Sequence, residues 1–256
     1  MMKRWRIWWR ALADLILPRT CLVCGRKLGL QEKHLCLYCL ADMPRTHFWS
    51  RSHNVMADKF NGIIQEGLQE SWSEDESVWP LPQPVNYAYA CALFFYKDEG
   101  DYRHILYSLK YGGNTAAGEY FGKMLGRQMA KAEHFADVDA VAPVPLHWTR
   151  QWKRGYNQAE CIAKTVALEL SAELRTDLLY RRRRTSTQTK VDVGQKGRNV
   201  MGAFEAVRSG NEPAHILLVD DLFTTGATLY ACYSAIKKAY PSARISIATL
   251  GYVGRP

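Results

Sequence analysis

The chain has 256 residues, 47% of them hydrophobic, with 34 Lys and Arg against 25 Asp and Glu for a formal net charge of +9. That length suits one good-sized domain with an accessory module, and the charge favours anionic partners such as phosphorylated ligands, nucleic acid or an acidic surface. No apolar run reaches about eighteen residues, which argues against a transmembrane helix; seven cysteines, an odd number, argue for reduced thiols in a cytoplasmic protein over a disulfide framework.

Residues 1–18 read as a basic amphipathic helical leader. Trp5, Trp8, Trp9, Leu12, Leu15 and Ile16 share one helical face, with Lys3, Arg4, Arg6 and Arg10 mostly elsewhere. The apolar part is short, is interrupted by Asp14 and is followed by no small-residue cleavage site, unlike a secretory signal. Packing of the tryptophans on the rest of the protein is the favoured reading. A partner surface, on a membrane periphery or on stacked bases, comes second.

Residues 19–43 carry Cys21-Leu-Val-Cys24, eleven intervening residues, and Cys36-Leu-Tyr-Cys39. Two CxxC turns let four thiolates converge on one tetrahedral ion, and Gly25 fits the turn after the first pair. Zinc is the expected metal, with an iron–sulfur cluster as the alternative four-thiolate group. No ligand position is left open, so the role is structural. Cys91, Cys161 and Cys232 lie in apolar segments and are expected in the core.

Residues 44–86 read as a linker or variable region. They hold an acidic cluster (Glu70, Glu74, Asp75, Glu76), the prolines Pro80, Pro82 and Pro84, and a short helix over Ala57–Gln69. From residue 87 to 256 the pattern is that of an α/β domain. Strands are expected at Ala88–Tyr96 and Val138–Val144, and a helix runs to about Leu170. Between the second strand and that helix stands a basic loop with Arg150, Lys153, Arg154, Gly155, Tyr156, Asn157 and Gln158, in the position where α/β folds put ligands. Arg181–Arg184 reads first as a solvated face and second as a nucleic-acid contact, and Thr185–Gly197 lacks apolar periodicity and is expected to be a mobile loop.

The densest signal is Ile216–Thr228, ILLVDDLFTTGAT. Ile216–Val219 reads as a buried strand, Asp220 and Asp221 as adjacent carboxylates at its end, and Leu229–Tyr240 as a helix. The loop's N–H groups therefore sit at a helix N-terminus, where unpaired donors and the helix dipole suit a phosphate. Gly226 lets the backbone approach an anion, and Thr224, Thr225 and Thr228 add hydroxyls. Two carboxylates there accept hydroxyl hydrogen bonds or help hold Mg²⁺. An acidic pair ending a strand is common by itself; the ordered combination over thirteen residues is not.

This stretch resembles the PRPP-binding loop of the type I phosphoribosyltransferases. The likeness implies that Asp220 and Asp221 face the ribose 2′ and 3′ hydroxyls, that Thr224, Thr225, Gly226, Ala227 and Thr228 cradle the 5-phosphate, and that a flexible loop bearing Gln188 and Arg198 closes over substrate. Taken with the four cysteines, LKYGGN, VPVPLH…RGYNQAE and R-x-x-N-V…AF, the chain is similar over roughly residues 19–254 to the ComF/GntX-type family. That likeness implies a type I phosphoribosyltransferase fold, a mainly parallel sheet flanked by helices, with an N-terminal zinc module. It also implies Mg²⁺–PRPP as ligand and an association with competence and uptake of transforming DNA. Asp220, Asp221 and Arg198 are then the candidate catalytic residues, and Arg150, Lys153 and Arg154 face pyrophosphate. The alternative is a non-catalytic accessory protein that binds single-stranded DNA or a DNA-uptake motor. The residues name no acceptor and fix no oligomeric state.

Overall fold

The computed structural model describes residues 18–73, 86–146, 148–182, 202–208 and 212–255, with the side chains of residues 70–73, 148, 150 and 153 left aside. The leader through residue 17, the prolines of the expected linker, His147, the loop with Gln188 and Arg198, and the second half of the arginine run lie outside the described residues.

A short helix α1 (Leu37–Ala41) carries the last of the four clustered cysteines. It is followed by α2 (Val55–Ser73), β1 (Ala90–Tyr96), α3 (Arg103–Tyr111), α4 (Thr115–Met129), β2 (Ala140–Pro143), α5 (Trp148–Arg154), α6 (Gln158–Leu170), β3 (Glu173–Leu174), β4 (Leu179–Arg181), β5 (Phe204–Ala206), β6 (His215–Phe223), α7 (Ala227–Ala239) and β7 (Arg244–Val253). Among the described residues five strands form one sheet in the order β1-β7-β6-β2-β3, every pair parallel. A separate antiparallel ribbon pairs β4 with β5. The expected parallel sheet flanked by helices is what the chain forms.

Parallel strands are covered on both faces, so they read as continuous apolar runs. Every residue of β1 is buried, as is Ile216–Val219 of β6. Cys91 and Cys232 are buried as expected, while Cys161 is only partly so. Helix α4 lies tightly on α6 because Gly122 has no side chain: a Cβ there would stand 2.7 Å from the Ile162 carbonyl oxygen.

Three expectations change. Arg150, Lys153 and Arg154, expected in a basic loop, stand in the short helix α5, and only Gly155–Asn157 remains as loop before α6. Strand β6 runs on to Phe223, because β7 extends beside it and pairs Asp220 with Thr249, Leu222 with Gly251 and Phe223 with Tyr252. Asp220 and Asp221 are thus held in sheet geometry, and the loop begins only at Thr224. Residues 44–68, expected in a linker, instead pack on the main domain. Arg45 bridges to Phe94, Phe48 and Trp49 are buried, and the short expected helix lengthens into α2. Asn54 caps α2 through the N–H groups of Met56 and Ala57 and donates to the Ala90 carbonyl, while Asn61 exchanges two hydrogen bonds with Ala88. These side-chain bonds to strand backbone carry no hydrophobic period, so the sequence pattern does not show them.

Candidate functional site

Near the N-terminus the sulfurs of Cys21, Cys24, Cys36 and Cys39 lie within 4.8 Å of one another. The Cys24 and Cys36 sulfurs are 3.8 Å apart, close to the edge of a tetrahedron with bonds of about 2.3 Å. Each pair is presented by a tight turn, closed by Gly25 N–H to the Cys21 carbonyl and Leu40 N–H to the Cys36 carbonyl. Burial alone would raise the Cys21 thiol, but N–H groups of Cys24, Cys36 and Val23 outweigh it and bring the thiol down to about 7. Burial and the neighbouring sulfurs push Cys39 up. The donor set fits a thiophilic ion such as zinc, whose positive charge reverses that mutual repulsion. The module is joined to the main body: Tyr102 Oη donates to the Cys39 carbonyl, and His34 packs on Tyr120 and Phe121.

The second candidate site lies at the C-terminal edge of the sheet. Chain connections leave β2 towards β3 on one side and β6 towards β7 on the other, so a crevice opens between the ends of β2 and β6. On the β6 side, Asp220, Leu222 and the run Phe223–Leu229 line a small cup of about 40 Å³. Gly226 has φ +84°, a left-handed conformation that glycine adopts freely, and a Cβ there would meet Ile63 at 2.7 Å. It ends the loop where α7 begins, and no side chain caps that helix end; the Ala227 N–H makes a long 3.4 Å contact to the Thr225 hydroxyl. The cup is therefore built of backbone N–H groups and hydroxyls, the donors an anion needs.

The two carboxylates are held differently. Asp221 pairs with Lys110 at 3.2 Å. Asp220 accepts the Asp221 N–H at 2.8 Å. Burial, and then the charge of Asp221, raise the Asp220 carboxyl to about 7, against the opposing pull of that N–H, Lys110 and Arg181. A carboxylate poised near neutrality beside a charged partner is a frequent mark of a functional site.

On the β2 side a cleft of about 310 Å³ is lined by residues that include Pro143, Pro145, Asn157, Glu160, Tyr180 and Arg181. Val144 N–H donates to the Val219 carbonyl, which locks the cleft wall to the strand bearing the acidic pair. Asn157 caps α6 through the Ala159 N–H and donates to the Val144 carbonyl. The RGYNQ segment also reaches α3: Tyr156 Oη and Gln158 Nε2 both donate to the Leu109 carbonyl, one of the orphan acceptors at that helix's end. Leu109 precedes Lys110, so three segments distant in sequence converge on the acidic pair.

Of the expected site residues, Asp220, Thr224, Thr225, Gly226, Ala227 and Thr228 line one cup, while Asp221, next in the strand, turns to Lys110. Arg154 bonds Gln158 Oε1 at 3.0 Å and lies 5.7 Å over the Tyr111 ring, beside Lys110. Arg150 and Lys153 belong to α5, but their side chains are outside the described residues, as is Arg198. Two cations were missed: Lys110, within the LKYGGN motif but unremarkable by itself, and Lys59 on α2, whose ammonium donates to the Thr224 carbonyl at 2.8 Å. Nothing local marks Lys59, because its partner is remote in sequence.

No family model matches the chain. It is similar to Competence protein F of Haemophilus influenzae, 34% identical over 102 residues, which are 39% of this chain and 44% of that protein. DNA utilization protein YhgH of Escherichia coli K12 is 25% identical over 128 residues, 49% of this chain and 56% of the relative. Competence protein ComFC of Streptococcus pneumoniae is 27% identical over 130 residues, 51% and 54% of the two chains. The chain spans about half the length of the curated relatives it matches. These relatives support a ComF-type family for the chain. Among the described residues no helix is long and apolar enough to cross a membrane.

Proposed function

We propose that this is a type I phosphoribosyltransferase-like protein that binds Mg²⁺–PRPP and serves DNA uptake, with a structural zinc at its four cysteines. The observation that carries the reading is the strand–loop–helix unit: an acidic pair at the edge of a central parallel strand, with Asp220 lining the cup, running directly into a Thr/Gly loop at a helix N-terminus. A phosphorylated sugar meets both halves, the hydroxyls on the carboxylates and the phosphate on the N–H groups. Arg154, Arg150, Lys153 and Arg198 supply charge for pyrophosphate. In a transfer, a nitrogen nucleophile forms its bond to C1 of the ribose as the C1–O bond to pyrophosphate breaks, and pyrophosphate leaves with that electron pair. Asp220 and Asp221 orient the sugar and steady its positive charge. The role in DNA uptake follows the relatives' names, and a cytoplasmic location follows the cysteine pattern, an odd number with two CxxC pairs.

Calorimetric titration with Mg²⁺–PRPP tests the reading. Saturable binding by the zinc-loaded wild type, lost in the Asp220→Asn/Asp221→Asn double variant, supports it; a folded wild type that binds none defeats it.

A second reading, a non-catalytic accessory that binds single-stranded DNA or an uptake motor, is favoured by exposed aromatic rings. Trp152 is 87% exposed and Tyr111 74% exposed, with Tyr107 and Tyr111 stacked at 5.9 Å and Arg154 over Tyr111. Exposed rings beside cations suit unpaired bases. Fluorescence titration with oligothymidine, unaffected by the double Asn change, supports two independent sites.

A further inference from the structure

The phosphate cup has a neighbour that its own sequence motif does not contain. Helix α2 passes behind the loop: Ile63 fills the space that a Cβ on Gly226 would need, and Phe60 meets the rings of Phe223 and Tyr233 edge-on at 6.4 and 5.9 Å. The helix is pinned to the start of β1 by the Asn54 and Asn61 bonds, so its next turn is fixed relative to the loop. On that turn stands Lys59. Its ammonium donates to the Thr224 carbonyl at 2.8 Å and lies 5.5 Å from the Phe223 ring. Among the described residues it has no carboxylate partner, in contrast to Lys110.

A lysine ammonium carries three donors, and the carbonyl accepts one of them. A cation is thus fastened to the first loop residue of an anion cup by a neutral group that leaves its charge uncompensated. A neutral donor also satisfies a carbonyl, so the fastening does not by itself account for a charge at this position. We propose that Lys59 is a phosphate-positioning residue: it orients the Thr224 end of the loop through that carbonyl, and its positive charge, held behind Thr224, adds to the field at the sugar phosphate. The inference rests on the phosphoribosyl reading of the cup, and it extends the site to a helix of the region that looked like a linker.

The test titrates wild type, Lys59→Met and Lys59→Arg with ribose 5-phosphate and with Mg²⁺–PRPP, at low and high salt, alongside thermal melting. Loss of one charge-assisted contact predicts about tenfold weaker binding of both ligands by Lys59→Met at low salt. Lys59→Arg recovers most of it, the difference shrinks at high salt, and the melting temperature stays unchanged because the side chain is exposed. Lys59→Met binding ribose 5-phosphate as tightly as wild type overturns this inference alone, as does a loss seen with Mg²⁺–PRPP only. Lys59→Arg as weak as Lys59→Met overturns the role of charge. A wild type that binds neither ligand overturns the reading of the cup and this inference with it.

Discussion

Replacing Asp220 by Asn separates stability from ligand binding. In the folded protein burial and the adjacent Asp221 carry the Asp220 carboxyl from its ordinary 3.8 to about 7. A raised carboxyl keeps its proton in the fold at pH values where the unfolded chain has lost it. Stability therefore falls as pH rises from about 4 to about 7 and is level above that. At full burial the charged form costs the fold about 4 kcal/mol; the carboxyl is only partly buried, and solvent screening reduces this to about 1–3 kcal/mol. Asn keeps an oxygen for the Asp221 N–H while removing the charge. The variant should melt roughly 3–8 °C higher than wild type at pH 8, with the gain shrinking towards zero as pH approaches 4. The same variant should bind Mg²⁺–PRPP at least about tenfold more weakly, because a charged acceptor is lost. Melting curves from pH 4.5 to 8.5, paired with calorimetry, decide it. A variant that is less stable at pH 8, or whose gain is equal at pH 5 and pH 8, refutes the argument that charge repulsion in a recessed site sets the behaviour of Asp220.

Gly226→Ala forces a side chain into a left-handed conformation against Ile63, which should cost about 1–3 kcal/mol in urea unfolding and abolish phosphate binding. Purified protein should contain one zinc per chain by metal analysis. Chelation or Cys36→Ser should lower the melting temperature and expose residues 19–43 to protease, and protection unchanged after complete metal removal would remove the structural role. His215 is buried between Asp137 and Ser246, and burial lowers its pKa to about 4. Its contribution to stability is complete above about pH 6.5 and is lost as pH falls towards 4, by about 3 kcal/mol. His215→Gln should flatten the acid limb of the stability profile, and an unchanged slope between pH 6.5 and 4.5 counts against this.

What the sequence alone determined is the chemistry carried by consecutive residues. Two CxxC pairs, the apolar run Ile216–Val219 with its acidic pair, and the Thr/Gly loop before a helix each state their geometry through local spacing, since turns and helix ends are set by neighbours in the chain. The strand near Ala88–Tyr96 and the helix to Leu170 were legible for the same reason, as buried runs and helical periods. The tertiary structure alone decided which segments meet at the acidic pair. Lys110 reaches Asp221, and Tyr156 and Gln158 fasten the RGYNQ segment beside it, through single polar contacts across long stretches of chain. Residues 44–73 looked like a linker because Asn54, Asn61 and Lys59 act by hydrogen bonds to distant backbone, which leave no period in the sequence. Periodicity records burial along one element, whereas the partner of a polar side chain is fixed only when the sheet brings the far segments together.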